Sequence, residues 1–319
     1  MQIGFIGLGN VGAKLAGSIL RNHGSLTVLD LDRNLAQPLL DQGAEWADTP
    51  AAMMNGCDLV ITSLPSPAAS TDVVAGADGL LGAMRPGKTW IEMSTTDATE
   101  MARLAGLVQN KGGRAAECPV SGGCHRAATG NISIFAGCDR ETFEAVLPVL
   151  TMLGRRVLHT GEIGTASTLK VMTNYLATAN LLTVCEALTT MKAAGVDLAT
   201  TYEAIRISSG TSFVHETESQ VILNGARSVD FTLDLVAKDI GLFQEIADHH
   251  DVPLEVSPLL NDIIAEAIGR LGPRAQSDRL IERLEDATDL SIRAEGFPAE
   301  LVDNEPEERG YEVGRGGRL

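Results

Sequence analysis

Lys170 stands alone among apolar and hydroxyl side chains in TASTLKVMTN (165–174), where a long helical pattern begins. On a helix, Lys170 and Asn174 are four residues apart and share a face. An ammonium beside a carboxamide can hold one oxygen of a substrate and exchange a proton with it. Desolvation or a second nearby cation would lower the lysine's pKa and make it a general acid or base. The alternative is a lysine snorkelling from a buried helix. Lys14, Lys88, Lys111, Lys170, Lys192 and Lys238 are the six lysines among 25 Lys and Arg residues. Guanidinium never deprotonates, so a chain that prefers arginine has reason to keep lysine where a titratable amine is wanted.

Gly7-Leu8-Gly9-Asn10-Val11-Gly12 has the spacing GxGxxG, after a strand-like run and before a helical one. The first glycine permits a tight turn and the second lets backbone approach a pyrophosphate. The third allows close helix–strand packing, with the helix N-terminus facing the anion. Asp30 closes the second strand-like run, where a carboxylate accepts hydrogen bonds from ribose hydroxyls. NAD is therefore expected over NADP, with Arg33 close enough to keep NADP possible. In Cys118-Pro-Val-Ser-Gly-Gly-Cys124, the Ser121 hydroxyl and the amides of Gly122 and Gly123 form a candidate carboxylate cradle or an ordinary glycine turn. Taken alone, Lys238 in FTLDLVAKD (231–239) reads as an ion-pair partner of Asp234 or Asp239. Adjacent histidines on a helix diverge by about 100°, so His249-His250 reads as a helix end, and no metal site is expected.

Short apolar runs at 2–6, 26–30, 58–64, 89–94, 113–120, 131–137 and 155–161 alternate with helical or turn-rich segments. That alternation predicts an α/β Rossmann domain with a doubly wound, mainly parallel sheet over 1–162. Residues 163–290 predict an all-α substrate and oligomerisation domain led by a long interdomain helix from Ala166 to about Ala194. Further helices are expected at 199–208, 213–223, 234–250, 255–270 and 277–287. Residues 291–319 read as a loosely held polar C-terminal tail or an arm to another subunit. The 319 residues carry a formal net charge of −17, which disfavours nucleic acid and acidic membrane surfaces as partners. Five cysteines without a CxxC pair read as reduced thiols. With no bilayer-spanning run and no signal-peptide pattern, a cytoplasmic location is expected.

GFIGLGNVG (4–12), SLP (63–65), MST (93–95), PVSGG (119–123), GTASTLKVMTN (164–174) and FTLDLVAKD (231–239) together resemble the β-hydroxyacid dehydrogenase family, over about residues 1–288. The resemblance implies hydride transfer between NAD, or NADP, and a small 3-hydroxy acid such as 3-hydroxyisobutyrate, giving its semialdehyde. Lys170 is then the general acid/base, and Ser121, Gly122, Gly123, Asn174 and Lys238 contact substrate. Gly7, Leu8, Gly9, Asn10, Val11, Gly12, Asp30, Leu64, Pro65, Thr95, Phe231 and Lys238 contact cofactor. Lys238 would also depress the pKa of Lys170 and attract the carboxylate. Long, exposed apolar helices suggest a homodimer or homotetramer through the helical domain. An NADP(H)-dependent tartronate semialdehyde reductase and a non-catalytic dinucleotide sensor are the alternatives. Glu117 stands where family members commonly have aspartate, and His125 and Arg126 follow the cradle without an assigned role.

Overall fold

The computed structural model of the chain describes residues 1–314. Two compact units emerge, one of Met1–Lys170 with the chain from Asp303 on, the other of Val171–Val302. The expected boundary at 162/163 thus moves into the long helix.

In the first unit, β1 (Ile3–Ile6), β2 (Thr27–Leu29), β3 (Glu45–Trp46), β4 (Leu59–Thr62), β5 (Thr89–Glu92), β6 (Arg114–Glu117), β7 (Val120–Ser121), β8 (Ile132–Gly137), β9 (Gly154–Gly161) and β10 (Tyr311–Glu312) form one sheet. Its order is β10-β9-β8-β6-β5-β4-β1-β2-β3, with β7 against β8 off that path. Neighbours run parallel except where β8 meets β6 and β7. The helices between strands are α1 (Gly12–His23), α2 (Gln37–Leu40), α3 (Pro50–Gly56), α4 (Pro67–Ala75), α5 (Ala98–Asn110), α6 (Gly123–Ala128) and α7 (Arg140–Leu153). Their starts are written in the sequence. Thr49, Ser66, Asp97 and Asp139 cap α3, α4, α5 and α7 with their side chains, and proline follows the cap in α3 and α4. Helices cover both faces of the sheet, so β1, β4 and β5 are buried throughout. Alternate residues feed opposite cores: Phe5, Ile61 and Ile91 pack on one side, Ile6, Val60 and Trp90 on the other.

α8 (Thr165–Ala193) is the expected long helix. The second unit continues with α9 (Leu198–Arg206), α10 (Phe213–Asn224), α11 (Leu233–His249), α12 (Val256–Leu271) and α13 (Glu282–Thr288). Leu188, Ile222, Leu233, Ile240, Ile264 and Ile281 lie in its core. His249 ends α11, and its ring meets that of His250 edge-on at 4.9 Å. Among the described residues no group of His, Cys, Asp and Glu is placed to hold a metal ion, and no helix is long and apolar enough to cross a membrane.

The tail differs from its expectation as a loose arm. Ile292 is fully buried in the second unit, the Ala294 amide donates to Leu223 O at 2.9 Å, and Phe297 meets Tyr202 edge-on at 5.0 Å. From Asp303 the chain joins the first unit, where β10 pairs with β9. Its carboxylates find guanidinium partners: Glu307 with Arg21, Glu308 with Arg155, and Glu312 with Arg140. What reads as solvated charge is a set of ion pairs to residues more than 100 positions away in sequence. Residues 315–319 of the expected tail lie outside the described residues.

One core position is electrostatically costly. Glu218 Oε2 and Asp278 Oδ1 are buried without a hydrogen-bond partner. Glu218, Ser277 and Phe231 help line a cavity of about 20 Å³. Burial, reinforced by Asp278, pushes the Glu218 carboxyl up to about 8; burial pushes Asp278 up to about 7. Both folded-state values exceed the unfolded ones, so the folded unit holds these protons more tightly. Stability is then greatest below about pH 4 for this pair alone and is lost as pH rises through 7 to 8. Glu218→Gln should raise the unfolding free energy by about 1–3 kcal/mol at pH 8.5 and by much less at pH 5.5. Urea unfolding of both proteins at the two pH values checks this, and equal effects would refute the assignment.

Candidate functional site

The glycine turn leaves β1 with little room. Gly7 has φ +95°, and its amide donates to Leu29 O at 2.9 Å. A Cβ on Gly7 would overlap Ser63 O, and one on Gly12 would overlap Gly7 O, so both glycines are required by close backbone approach. Gly9 meets nothing within 4 Å, which leaves the middle of the turn open at the start of α1. Leu8 is buried beneath the turn, while Gly9 and Asn10 are exposed, with Val11 and Gly12 leading into α1. Asp30 Oδ2 accepts the Leu8 amide at 2.6 Å and Oδ1 accepts the Asp32 amide at 2.9 Å, which ties the end of β2 to the turn. Arg33 lies over the Trp46 ring, 4.9 Å from its centroid.

The neighbouring strand ends complete this edge of the sheet. The direction of strand order reverses around β1, which is where open α/β sheets bind ligands beyond their carboxyl ends. Leu64 and Pro65 follow β4, and Thr95 follows β5. Buried Glu92 joins these loops: its Oε1 accepts from the Ser94 amide at 2.9 Å and Ser94 Oγ at 2.5 Å, and Ser94 Oγ accepts the Leu64 amide at 2.7 Å. Burial raises the Glu92 pKa against those hydrogen bonds. An open glycine turn, a carboxylate at the end of β2 and two ordered strand-end loops fit a dinucleotide, which they would hold along this edge.

On β6, in register with Glu92, Glu117 is fully buried. Its Oε1 accepts the amides of Gly164 and Ala166 at 2.7 and 2.8 Å; its Oε2 accepts the Ser167 amide at 3.3 Å and Ser167 Oγ at 2.5 Å. The first amides of a helix have no intrahelical acceptor. One carboxylate here supplies that acceptor for α8, at the positive end of the helix dipole. Burial raises the Glu117 pKa, opposed first by the bond from Ser167 Oγ. Lys170 follows the anchored turn and is 8% exposed.

Ser121 closes β7 opposite Ser133 of β8. Gly122 and Gly123 have φ +128° and +82°, and a Cβ on Gly123 would come within 2.9 Å of the His125 ring. Burial lowers the His125 pKa, helped by Arg126 and countered by Asp303. The first unit therefore gathers the glycine turn, Asp30, Leu64, Pro65, Thr95 and Ser121–Gly123 at the ends of its central strands.

The second unit gathers Asn174 and Lys238 through a residue that sequence reasoning missed as an organiser. Asp239, 2% exposed, accepts from Asn174 Nδ2 at 2.5 Å and forms an ion pair with Lys238 at 3.1 Å. Asp234, the other candidate partner of Lys238, pairs with Arg274. Phe231 packs against the helical core and helps line its small cavity. Glu92 was also missed, and Glu117 was noticed only as a replacement for aspartate; the available signal was a carboxylate closing each of two neighbouring strands.

Residues 2–161 match the family model described as the NAD binding domain of 6-phosphogluconate dehydrogenase. Residues 164–284 match the one described as NAD-binding of NADP-dependent 3-hydroxyisobutyrate dehydrogenase. A 2-(hydroxymethyl)glutarate dehydrogenase of Eubacterium barkeri is 30% identical over 295 residues, covering 92% of this chain and 97% of the relative. A mitochondrial 3-hydroxyisobutyrate dehydrogenase of Mus musculus is 29% identical over 268 residues, 82% of this chain and 80% of the relative. The cytokine-like nuclear factor N-PAC of Homo sapiens is 29% identical over 83% of this chain, which spans only 48% of that protein. The fold is similar to the crystal structure of a 3-hydroxyisobutyrate dehydrogenase from Salmonella typhimurium, with TM-score 0.81, 24% identity and coverage of 89% of this chain and 99% of that one.

Replacing Glu117 with Ala strands the Gly164, Ala166 and Ser167 amides and the Ser167 hydroxyl. The expected loss is about 2–4 kcal/mol of unfolding free energy. A Cβ on Gly137 would overlap Glu117 Oε1, so Gly137→Ala should fall in the same range. Urea unfolding measures both, and a loss below about 1 kcal/mol for Glu117→Ala would mean that water replaces the carboxylate at no cost.

Proposed function

The chain belongs to the β-hydroxyacid dehydrogenase family and is an NAD(P)-dependent hydroxyacid dehydrogenase, and from that premise we propose that it interconverts a small 3-hydroxy acid and its semialdehyde with Lys170 as general acid/base. The dinucleotide, when bound, supplies the hydride acceptor or donor. The observation that carries the reading is a lysine 8% exposed, directly behind the Glu117 anchor and one helical turn before Asn174. In oxidation, Lys170 Nζ takes the hydroxyl proton as the carbon gives up its hydride; in reduction it returns a proton to the carbonyl oxygen. An amine already stripped of most of its water loses less on accepting substrate than an exposed one.

The Ser121 hydroxyl and the Gly122 and Gly123 amides are assigned to the substrate carboxylate. Asn174 and Lys238 are also assigned to substrate, oriented by their shared partner Asp239. Gly7, Leu8, Gly9, Asn10, Val11, Gly12, Asp30, Leu64, Pro65 and Thr95 hold the cofactor in this reading, and Phe231 and Lys238 complete it. The named relatives support the substrate class: 2-(hydroxymethyl)glutarate and 3-hydroxyisobutyrate each place a hydroxyl on the carbon β to a carboxylate. NAD is proposed over NADP because a 2′-phosphate would meet the Asp30 carboxylate, while Arg33 is engaged with Trp46. Free thiols at all five cysteines accord with a reducing compartment, and we assign the protein to the cytoplasm. Exposed Leu176, Phe213 and Leu259 in the second unit support assembly of a homodimer or homotetramer through it.

A second reading is a dinucleotide-binding protein without turnover, supported by a relative, N-PAC, that is named as a nuclear factor and not as a dehydrogenase. A panel of C3–C5 3-hydroxy acids with NAD and with NADP separates the two. Turnover of at least one acid is expected, with kcat/KM at least about tenfold higher for NAD, and cofactor binding without turnover of any acid would favour the second reading. Lys170→Ala should lower kcat by about a hundredfold or more, the usual worth of general acid–base catalysis, and leave NAD affinity within about twofold. A variant within a few fold of the parent rate would refute the role given to Lys170.

A further inference from the structure

Both family models end by residue 284, whereas the chain continues through a segment that grips the first unit. Between Asp303 and Glu307 this segment engages the stretch after Ser121–Gly123 with polar side chains. Asp303 Oδ2 accepts from Thr129 Oγ1 at 2.5 Å and from Asn131 Nδ2 at 2.8 Å. Asn131, 1% exposed, also donates to the Glu305 carbonyl at 3.0 Å. Glu305 pairs with Arg126 of α6 at 3.2 Å, and Glu307 takes Arg21 and Asn22 of α1 at 3.3 and 3.0 Å. α6 is also held by α1, since Arg21, the partner of Glu307, donates to Ala128 O at 2.8 Å and Ser18 to Ala127 O at 3.4 Å.

α6 has six residues and no side-chain N-cap. So short a helix has little stability of its own. It begins at Gly123, within the cradle, and Gly123 and the preceding Gly122 both sit at positive φ, where glycine has wide conformational freedom. The cradle can keep one shape only if its downstream end is fixed from outside.

We infer that Asp303, with Glu305, is a positioning residue for the substrate cradle: the C-terminal strap fixes α6 and Thr129–Asn131 and thereby sets the geometry of Ser121–Gly123. The inference rests on reading those three residues as the carboxylate site. Asp303 does not touch substrate. It acts by holding Asn131 and Thr129, and the side-chain carboxylate that does so reaches them across more than 170 positions of sequence.

The test uses the full chain carrying Asp303→Asn or Glu305→Gln. Amide hydrogen exchange across 122–131 is followed in each, beside kcat, KM and NAD affinity. Loss of the charge-assisted bonds should speed exchange there about tenfold in Asp303→Asn. KM for the hydroxy acid should rise about five- to tenfold, with kcat and NAD affinity within about twofold. Parent-like exchange would overturn the inference, as would faster exchange with an unchanged KM, which would make the strap merely structural. If the parent protein turns over no hydroxy acid, the functional reading fails, and exchange across 122–131 alone still decides whether the strap orders that segment.

Discussion

A helix that must present a charged amine cannot start wherever its propensity allows; its first turn has to be fixed against the sheet. In this protein the Glu117 carboxylate does that. It closes β6, lies wholly out of solvent, and receives the opening amides of α8 together with the Ser167 hydroxyl. Burying a carboxylate is costly unless its lone pairs are satisfied. Here both oxygens are engaged by donors that would otherwise be orphaned, so each group relieves the other's desolvation. The glycine at 137 is part of the same constraint, because any side chain there would occupy the space of the carboxylate. Rotation or translation of the first turn of α8 would break several of these bonds at once, and Lys170 inherits that fixity.

The same device recurs on a smaller scale. Asp30 holds the Leu8 amide, Glu92 holds Ser94 and through it Leu64, Asp239 holds Asn174 and Lys238, and Asp303 holds Thr129 and Asn131. A chain with a formal charge of −17 would be expected to keep its carboxylates in water. These instead serve as acceptors for backbone and side-chain donors within each unit. Guanidinium groups carry the complementary structural work, as Arg227 does between Glu282 and Glu285. Planar, multidentate and permanently charged, arginine suits such duty better than lysine.

How far this was legible depends on whether the signal is local. The GxGxxG turn, the alternating strands and helices and the unbroken run of α8 are encoded by neighbours in sequence, and each was readable. Capping by Thr49, Ser66, Asp97 and Asp139 is local as well. The two-residue strands β3 and β10 are too short for periodicity to register. Glu117 reads as a conservative replacement within a strand because its partners lie 47 to 50 residues on. Tail carboxylates at 303–312 look like a solvated run for the same reason. Their arginines are scattered at 21, 126, 140 and 155, and only the folded sheet edge assembles them. Asp239 was noticed as a charge but not as a link, since nothing in FTLDLVAKD says that Asn174 faces it.

Scarcity of lysine directed notice to Lys170, yet scarcity and burial do not by themselves make a catalytic amine. Lys88 is the control within the same molecule. At 7% exposure it is as buried as Lys170, and its ammonium donates to the carbonyls of Asn55 and Cys57 at 3.2 and 2.5 Å. Those carbonyls close α3, so Lys88 serves as a helix C-cap by side chain, a purely structural use of a cation near the negative end of a helix dipole. Lys170 lies past the first turn of α8, where the dipole of the helix start has largely faded. A cation cannot cap the opening amides of a helix, and the Glu117 carboxylate already takes them. A buried lysine in a place where no helix end calls for a cation is the physical reason to test Lys170 in proton transfer.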